Sequence, residues 1–191
     1  MKNKVWLVGD LYLDKSPWKD IKEGTSDASR EEEFFIQYND LVAEDDAVVF
    51  FGNIAVSDVA YWLGRISNLA GNKVLLLGDQ DKNRPKWYSK FGFKMVVPFN
   101  ESLIFDAENY GKVLLSHLPA YAAVGYRVER KYHGLMNKHG RTFENSGCIL
   151  NVHGHTLGTG EETHRTYDVN NSYPVVRIPS LDQVLAAKFR R

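Results

Sequence analysis

The chain has 191 residues, 43% of them hydrophobic, and balances 24 Lys and Arg against 24 Asp and Glu for a formal net charge of +0 at pH 7. That length suits one compact domain, residues 1–191, and 25% charged with 13% aromatic residues argues against wholesale disorder. The charge balance argues against nucleic-acid binding by bulk electrostatics, and a single cysteine, Cys148, excludes a disulfide framework and a cysteine-based zinc knuckle.

Apolar runs are strand-sized, so none is expected to span a bilayer. After the basic start Met1-Lys2-Asn3-Lys4, the run Val5 to Val8 is too short for a secretory leader and is interrupted by Gly9-Asp10. The expectation is a soluble, cytoplasmic protein with no membrane partner.

In chain order, Val5 to Val8 runs into Gly9-Asp10, Ala47 to Phe51 into Gly52-Asn53, and Val74 to Leu77 into Gly78-Asp79. Val113 to Leu115 runs into Ser116-His117, and Ile149 to Val152 into His153-Gly154-His155. Short, nearly continuous β-branched and leucine runs are the pattern of strands buried on both faces.

Between the first three runs lie two helix patterns. Ser29 with Glu32 reads as a capping box ahead of a face of Phe34, Tyr38, Leu41 and Val42. Ser57 reads as the cap of a second helix bearing Val59, Trp62, Leu63 and Ile66 and closed near Gly71. This β-α-β-α-β order predicts parallel strands with crossover helices, whose carboxyl-end loops converge on one ligand-binding edge. All five polar junctions belong at that edge.

The second half reads as more β-rich, with short strands at Met95 to Val97, Ser102 to Phe105, Thr163 to Tyr167 and Val175 to Ile178, and a closing helix near Leu181 to Phe189. Residues 13–28 and 120–147 are the long connections. The latter is too long to be structureless without a function or some helix.

Taken together, the junctions Asp10-Leu11-Tyr12, Gly52-Asn53, Gly78-Asp79-Gln80-Asp81, His117 and Gly154-His155-Thr156-Leu157 resemble those of the calcineurin-like metallophosphoesterases. The small single-domain members common in bacteria and phages are the nearest pattern. That family's order is D-x-H, G-D, G-N-H-D, a lone H and G-H-x-H. Flanking segments around Tyr38 to Asp46, Leu69 to Lys73, Ser116 to Pro119 and Tyr167 to Asn171 with Pro174-Val175 match as well. The resemblance implies an α/β fold: a sandwich of mixed sheets flanked by helices in α/β/β/α layers.

Members of that family hold two metal ions that activate the attacking water and screen the phosphate's charge. At the first ion's positions this chain has Asp10, Tyr12, Asn53 and Leu157, a set that leaves that ion without adequate ligands. At the second ion's positions stand Asn53, Asp79, His117 and His155, with Asn and Asp exchanged relative to the family. Those four make the candidate metal ligands, and the set implies one divalent transition metal, Mn, Zn or Fe, in place of a normal dimetal centre. Asp10 is the candidate catalytic residue. The family's proton-donating His is Gln80 here, which cannot transfer a proton, and losing a general acid costs roughly 10²- to 10⁴-fold.

Basic residues Lys82, Arg84 and Lys86 follow the third junction, and Arg127, Arg130, Lys131, Lys138 and Arg141 fill the long connection. Arg84, Arg127 and Arg130 are the candidate substrate-binding residues, as a phosphate-attracting rim. Tyr121, Tyr126 and Tyr132 interleave with these charges, a weaker pointer to nucleotide or nucleic-acid recognition. His153 reads as a packing residue or one standing behind the metal ligands, and His133, His139 and His164 as surface residues. The leading expectation is a phosphoesterase fold that lacks normal hydrolase activity and binds a protein or a phosphorylated ligand. The alternative is a single-metal phosphoesterase.

Overall fold

The computed structural model describes residues 3–14, 27–121, 129–155, 163, 165–170 and 177–189. Its elements in order are β1 (Val5–Val8), α1 (Asp27–Leu41), β2 (Ala47–Phe50), α2 (Val59–Ser67), β3 (Asn72–Leu76), α3 (Pro85–Tyr88) and β4 (Met95–Val97). There follow β5 (Leu103–Ala107), β6 (Gly111–Ser116), α4 (His133–Asn145), β7 (Leu150–His153), β8 (Thr166–Asp168) and α5 (Leu181–Lys188). Among the described residues, no helix is long and apolar enough to cross a membrane.

Strands β1 to β4 pair side by side in chain order, all parallel. Each right-handed crossover therefore steps the same way, and α1, α2 and α3 collect on one face of the sheet. The opposite face is left for a second sheet, ordered β5-β6-β7-β8, in which β5 is antiparallel to β6 and the other pairs are parallel.

Strand alternation divides the core accordingly. Trp6, Val8, Val48, Phe50 and Leu75 pack against Phe34, Tyr38, Trp62 and Leu63 of α1 and α2. Leu7, Val49, Phe51 and Leu76 meet Val113, Leu115, Leu150 and Val152 of the second sheet. On that sheet's outer face Leu114 packs with Phe143 of α4. The result is the expected α/β/β/α sandwich, with the first sheet wholly parallel and the second mixed.

Several local expectations are corrected. Ser29 lies inside α1 rather than at its start. Leu41 is 40% exposed while Phe35 is 6% exposed, because Phe34, Phe35, Tyr38 and Val42 centre the buried face and leave Leu41 on its flank. Asp58, not Ser57, is the N-cap residue of α2, and its side chain makes no capping bond. The carboxylate of Asp14 takes that role from a distance, accepting from the backbone N–H of Val56 (3.3 Å), Ser57 (3.2 Å) and Asp58 (2.8 Å) and from Trp62 Nε1 (3.0 Å). The residue holds a left-handed φ of 69° to do so. The strand expected at Val175 to Ile178 falls partly outside the described residues, and Ile178 itself is in no strand. The long connection contains α4, which its sparse apolar pattern concealed.

His139, expected on the surface, is 0% exposed on α4. Both ring nitrogens are buried without a hydrogen-bond partner. Burial, helped by the Lys138 ammonium and opposed by Glu101, pushes its pKa down from 6.5 to about 4.

Two outcomes follow from these contacts. Asp14→Ala removes a charged acceptor from three backbone donors and an indole, and is expected to lower unfolding free energy by about 2–3 kcal/mol in urea titrations. For His139 the folded state resists a proton that the unfolded chain accepts, so its contribution is intact above pH 6.5 and lost as pH falls toward 4. His139→Leu should therefore raise stability at pH 5 relative to the parent by about 2 kcal/mol and flatten the acid limb of the stability curve.

Candidate metal centre

Three loops of the first sheet and two of the second meet at one edge, where the strands' carboxyl ends lie. Backbone bonds stitch the loops together: Tyr12 N donates to Asn53 O at 2.9 Å, Phe51 N to Val8 O at 2.9 Å, and Gly154 N to His117 O at 3.1 Å. Asp81 joins the second and third loops by accepting from Asn53 N (2.9 Å) and Gly78 N (2.7 Å).

The glycines of these junctions are required by close approach. Gly52 has φ +94, and a Cβ there would lie 2.4 Å from Gly78 N. A Cβ on Gly154 would lie 2.6 Å from Asp10 Oδ1. Three non-glycine residues of the site also hold left-handed backbone: Tyr12 (φ 46), Asn53 (φ 48) and His155 (φ 67). Such strain costs on the order of 1–3 kcal/mol per residue and persists where surrounding structure over-determines it.

The donors converge tightly. His117 Nδ1 lies 2.5 Å from Phe51 O, an acceptor only, so Nδ1 carries the proton and Nε2 presents its lone pair. That Nε2 is 3.2 Å from His155 Nδ1 and 3.4 Å from Asp79 Oδ1, and His155 Nδ1 is 3.5 Å from the same oxygen. Asp10 completes the group, since Asp10, His117 and His155 each offer a ligand atom within 4.8 Å of the others. Two imidazoles with carboxylate oxygen suit a divalent transition ion, and Asp10, His117 and His155 form a site for one such metal.

Charge follows the same geometry. Burial raises Asp10 to about 6, against the pull of His117 and His155. Burial would raise Asp79 too, but the neighbouring His117 and His155 imidazoles and the Asn53 amide hold it well below the usual carboxylate range. His117 is raised: burial opposes its protonation, yet Asp10 and Asp79 outweigh burial. Burial raises the Tyr12 phenol, which therefore keeps its proton.

Asn53 is 0% exposed and lies between the carboxylates. Its Oδ1 accepts from Gln80 N at 3.0 Å, which turns the amide nitrogen toward Asp10 Oδ2 (2.9 Å), Tyr12 OH (2.8 Å) and Asp79 Oδ1 (3.0 Å). In this arrangement the side chain offers the site donors rather than its oxygen.

Of the residues singled out in the sequence, Asp10, Tyr12, Asn53, Asp79, Gln80, His117 and His155 come together, and Asp10 joins the ligand cluster. His153 is 4% exposed, as a packing residue should be. Arg84 is the N-cap residue of α3 but makes no side-chain capping bond, and Arg130 is exposed two residues ahead of Tyr132. Lys138 pairs with Glu101 at 2.8 Å. Arg127, Tyr126, Leu157 and His164 lie outside the described residues. Two participants were missed. Asn170 accepts from Asp10 N at 2.8 Å, and Tyr132 donates to Asp79 Oδ2 at 2.9 Å. Asn170 lies in a flanking segment already matched to the family; Tyr132 is 53 residues from its partner, and no sequence signal links them.

No family model and no curated relative matches the sequence. Solved structures do. A protein of unknown function from Aquifex aeolicus superposes with TM-score 0.70 at 17% identity, covering 96% of this chain and 98% of that one. An archaeal protein described as a novel phosphodiesterase superposes with TM-score 0.53 at 12% identity, over 93% of this chain and 99% of its own. At such identities the likeness is one of fold. The fold is one these structures share, and at its edge Asp10, His117 and His155 cluster as donors for one divalent ion.

His155 allows strain and ligation to be separated. His155→Gly relieves the left-handed backbone, so melting in chelator is expected to hold steady or rise by about 1 kcal/mol equivalent. Calorimetry is expected to show Mn²⁺ binding by the parent and none by the same variant.

Proposed function

We propose that this chain is a phosphoesterase dependent on a single divalent metal, acting on phosphodiesters. The observation that carries the reading is the triangle of His117 Nε2, His155 Nδ1 and Asp79 Oδ1, with edges of 3.2, 3.4 and 3.5 Å. Edges near 3.3 Å are about those of a tetrahedron of ligands 2.0–2.1 Å from its centre. Asp10, Asp79, His117 and His155 are the residues that would hold the ion. It supplies Lewis-acid charge to the phosphate and a more acidic water. The archaeal fold neighbour's description as a phosphodiesterase supports the choice of ester.

The chain's own residues account for the rest. The Phe51 carbonyl fixes the tautomer of His117, so its lone pair faces the site. The amide of Asn53 keeps the Asp10 and Asp79 carboxylates apart by donating to both. Gln80, exposed at the mouth, donates its amide to Asp79 and has no transferable proton, so the leaving group takes its proton from solvent. Arg84 and Arg130 are the described basic residues offered to an anionic substrate, with Arg127 a candidate from the sequence alone.

This reading is preferred to a purely scaffolding role, because scaffolding requires neither the His117 tautomer nor strained backbone at His155. It is tested with an aryl phosphodiester and added Mn²⁺. Turnover is expected with about one metal per chain, abolished by chelator, and reduced at least about 100-fold in the correctly folded His155→Gly variant. Without an internal acid, aryl esters should be cleaved far faster than alkyl esters. A metal-free chain, or turnover indifferent to chelator, would defeat the proposal.

A further inference from the structure

Asp79 projects from the loop after β3, and its two oxygens have different company. Oδ1 accepts from Asn53 Nδ2 at 3.0 Å and faces His117 Nε2 at 3.4 Å and His155 Nδ1 at 3.5 Å. Oδ2 faces away and accepts from two donors, Gln80 Nε2 at 2.7 Å and Tyr132 OH at 2.9 Å. We infer that Tyr132 is a positioning residue for the metal centre, holding Asp79 so that a single oxygen is presented to the ion. The inference rests on the single-metal reading above and adds to it a residue from outside every recognised motif.

Tyr132 closes the short 3₁₀ turn Arg130–Tyr132 that leads into α4 and is 6% exposed. Its ring stands edge-on to His155, centroids 5.3 Å apart, and to Phe99 at 6.0 Å; Phe99 stands edge-on to His117 at 5.6 Å. One side chain therefore bonds the carboxylate and buttresses the imidazoles, one directly and one through Phe99. The ring is held in an apolar cluster with Leu118 and Met136. Packing in that cluster needs the ring alone, and phenylalanine would supply it. The hydroxyl is surplus to packing; it donates to Asp79 and also meets the Lys131 ammonium.

A carboxylate free to rotate about its last bond can bind an ion through one oxygen or both, and two donors on Oδ2 remove that freedom. Outer hydrogen bonds of this kind typically change metal affinity by about 10- to 100-fold when lost.

The experiment uses the full chain stripped of metal and titrated with Co²⁺, read by affinity and by the visible absorption of the bound ion. Tyr132→Phe is expected to weaken binding about 10- to 100-fold and to alter the cobalt spectrum, while melting in chelator stays at the parent value. Parental affinity and spectrum in Tyr132→Phe would overturn the role. If that variant melts early, Gln80→Met carries the test. It removes the other donor to the same oxygen from an exposed position and should shift affinity and spectrum in the same direction; an unchanged titration there overturns the role. Failure of the parent chain to bind cobalt would instead overturn the single-metal reading on which the role depends.

Discussion

Two imidazole nitrogens and a carboxylate oxygen are held within 3.5 Å of one another at the edge of this molecule, and they come from opposite sheets. Asp10, Asn53 and Asp79 follow strands of the first sheet, whereas His117 and His155 follow strands of the second. Their convergence therefore depends on the apolar interface between the sheets, in which Leu7, Val49 and Phe51 meet Val113, Leu115 and Val152. Electron-rich groups placed so closely repel unless a proton or a cation lies among them, and inter-sheet burial supplies the force that keeps them there.

The strain pattern fits this view. Tyr12, Asn53 and His155 hold left-handed backbone at the site, and each is fixed by bonds to another loop of the same edge. Stability is drawn from elsewhere, notably from Asp14, whose carboxylate anchors the start of α2, and from the aromatic packing of α1 and α2 on the first sheet. A protein under selection for stability alone would place glycine at such positions.

The arrangement of Asn53 explains how two acidic side chains coexist so close to each other. Its amide, oriented by the Gln80 N–H, donates into the gap between Asp10 and Asp79. One neutral residue thereby separates two carboxylates.

Much of this was legible in the sequence, for reasons that are local. Parallel strands buried on both faces write themselves as continuous apolar runs, and a loop that carries chemistry after each run stands out by contrast. Asp10, Asp79, His117 and His155 were found in that way, as were the core positions Phe34, Tyr38 and Trp62. Ser57 was misread because its helix is capped from 43 residues away, by Asp14. His139 was misread because a lone histidine carries no mark of its burial until α4 is laid on the second sheet. The donor chemistry and the parallel β-α-β-α-β order of the first half were thus set by residue type and hydrophobic period, whereas the α/β/β/α layering was implied by the family resemblance. Which amide atom of Asn53 faces the carboxylates, which nitrogen of His117 is free, and that Tyr132 reaches Asp79 were decided only in three dimensions, because hydrogen-bond direction depends on neighbours brought together by packing rather than by chain proximity.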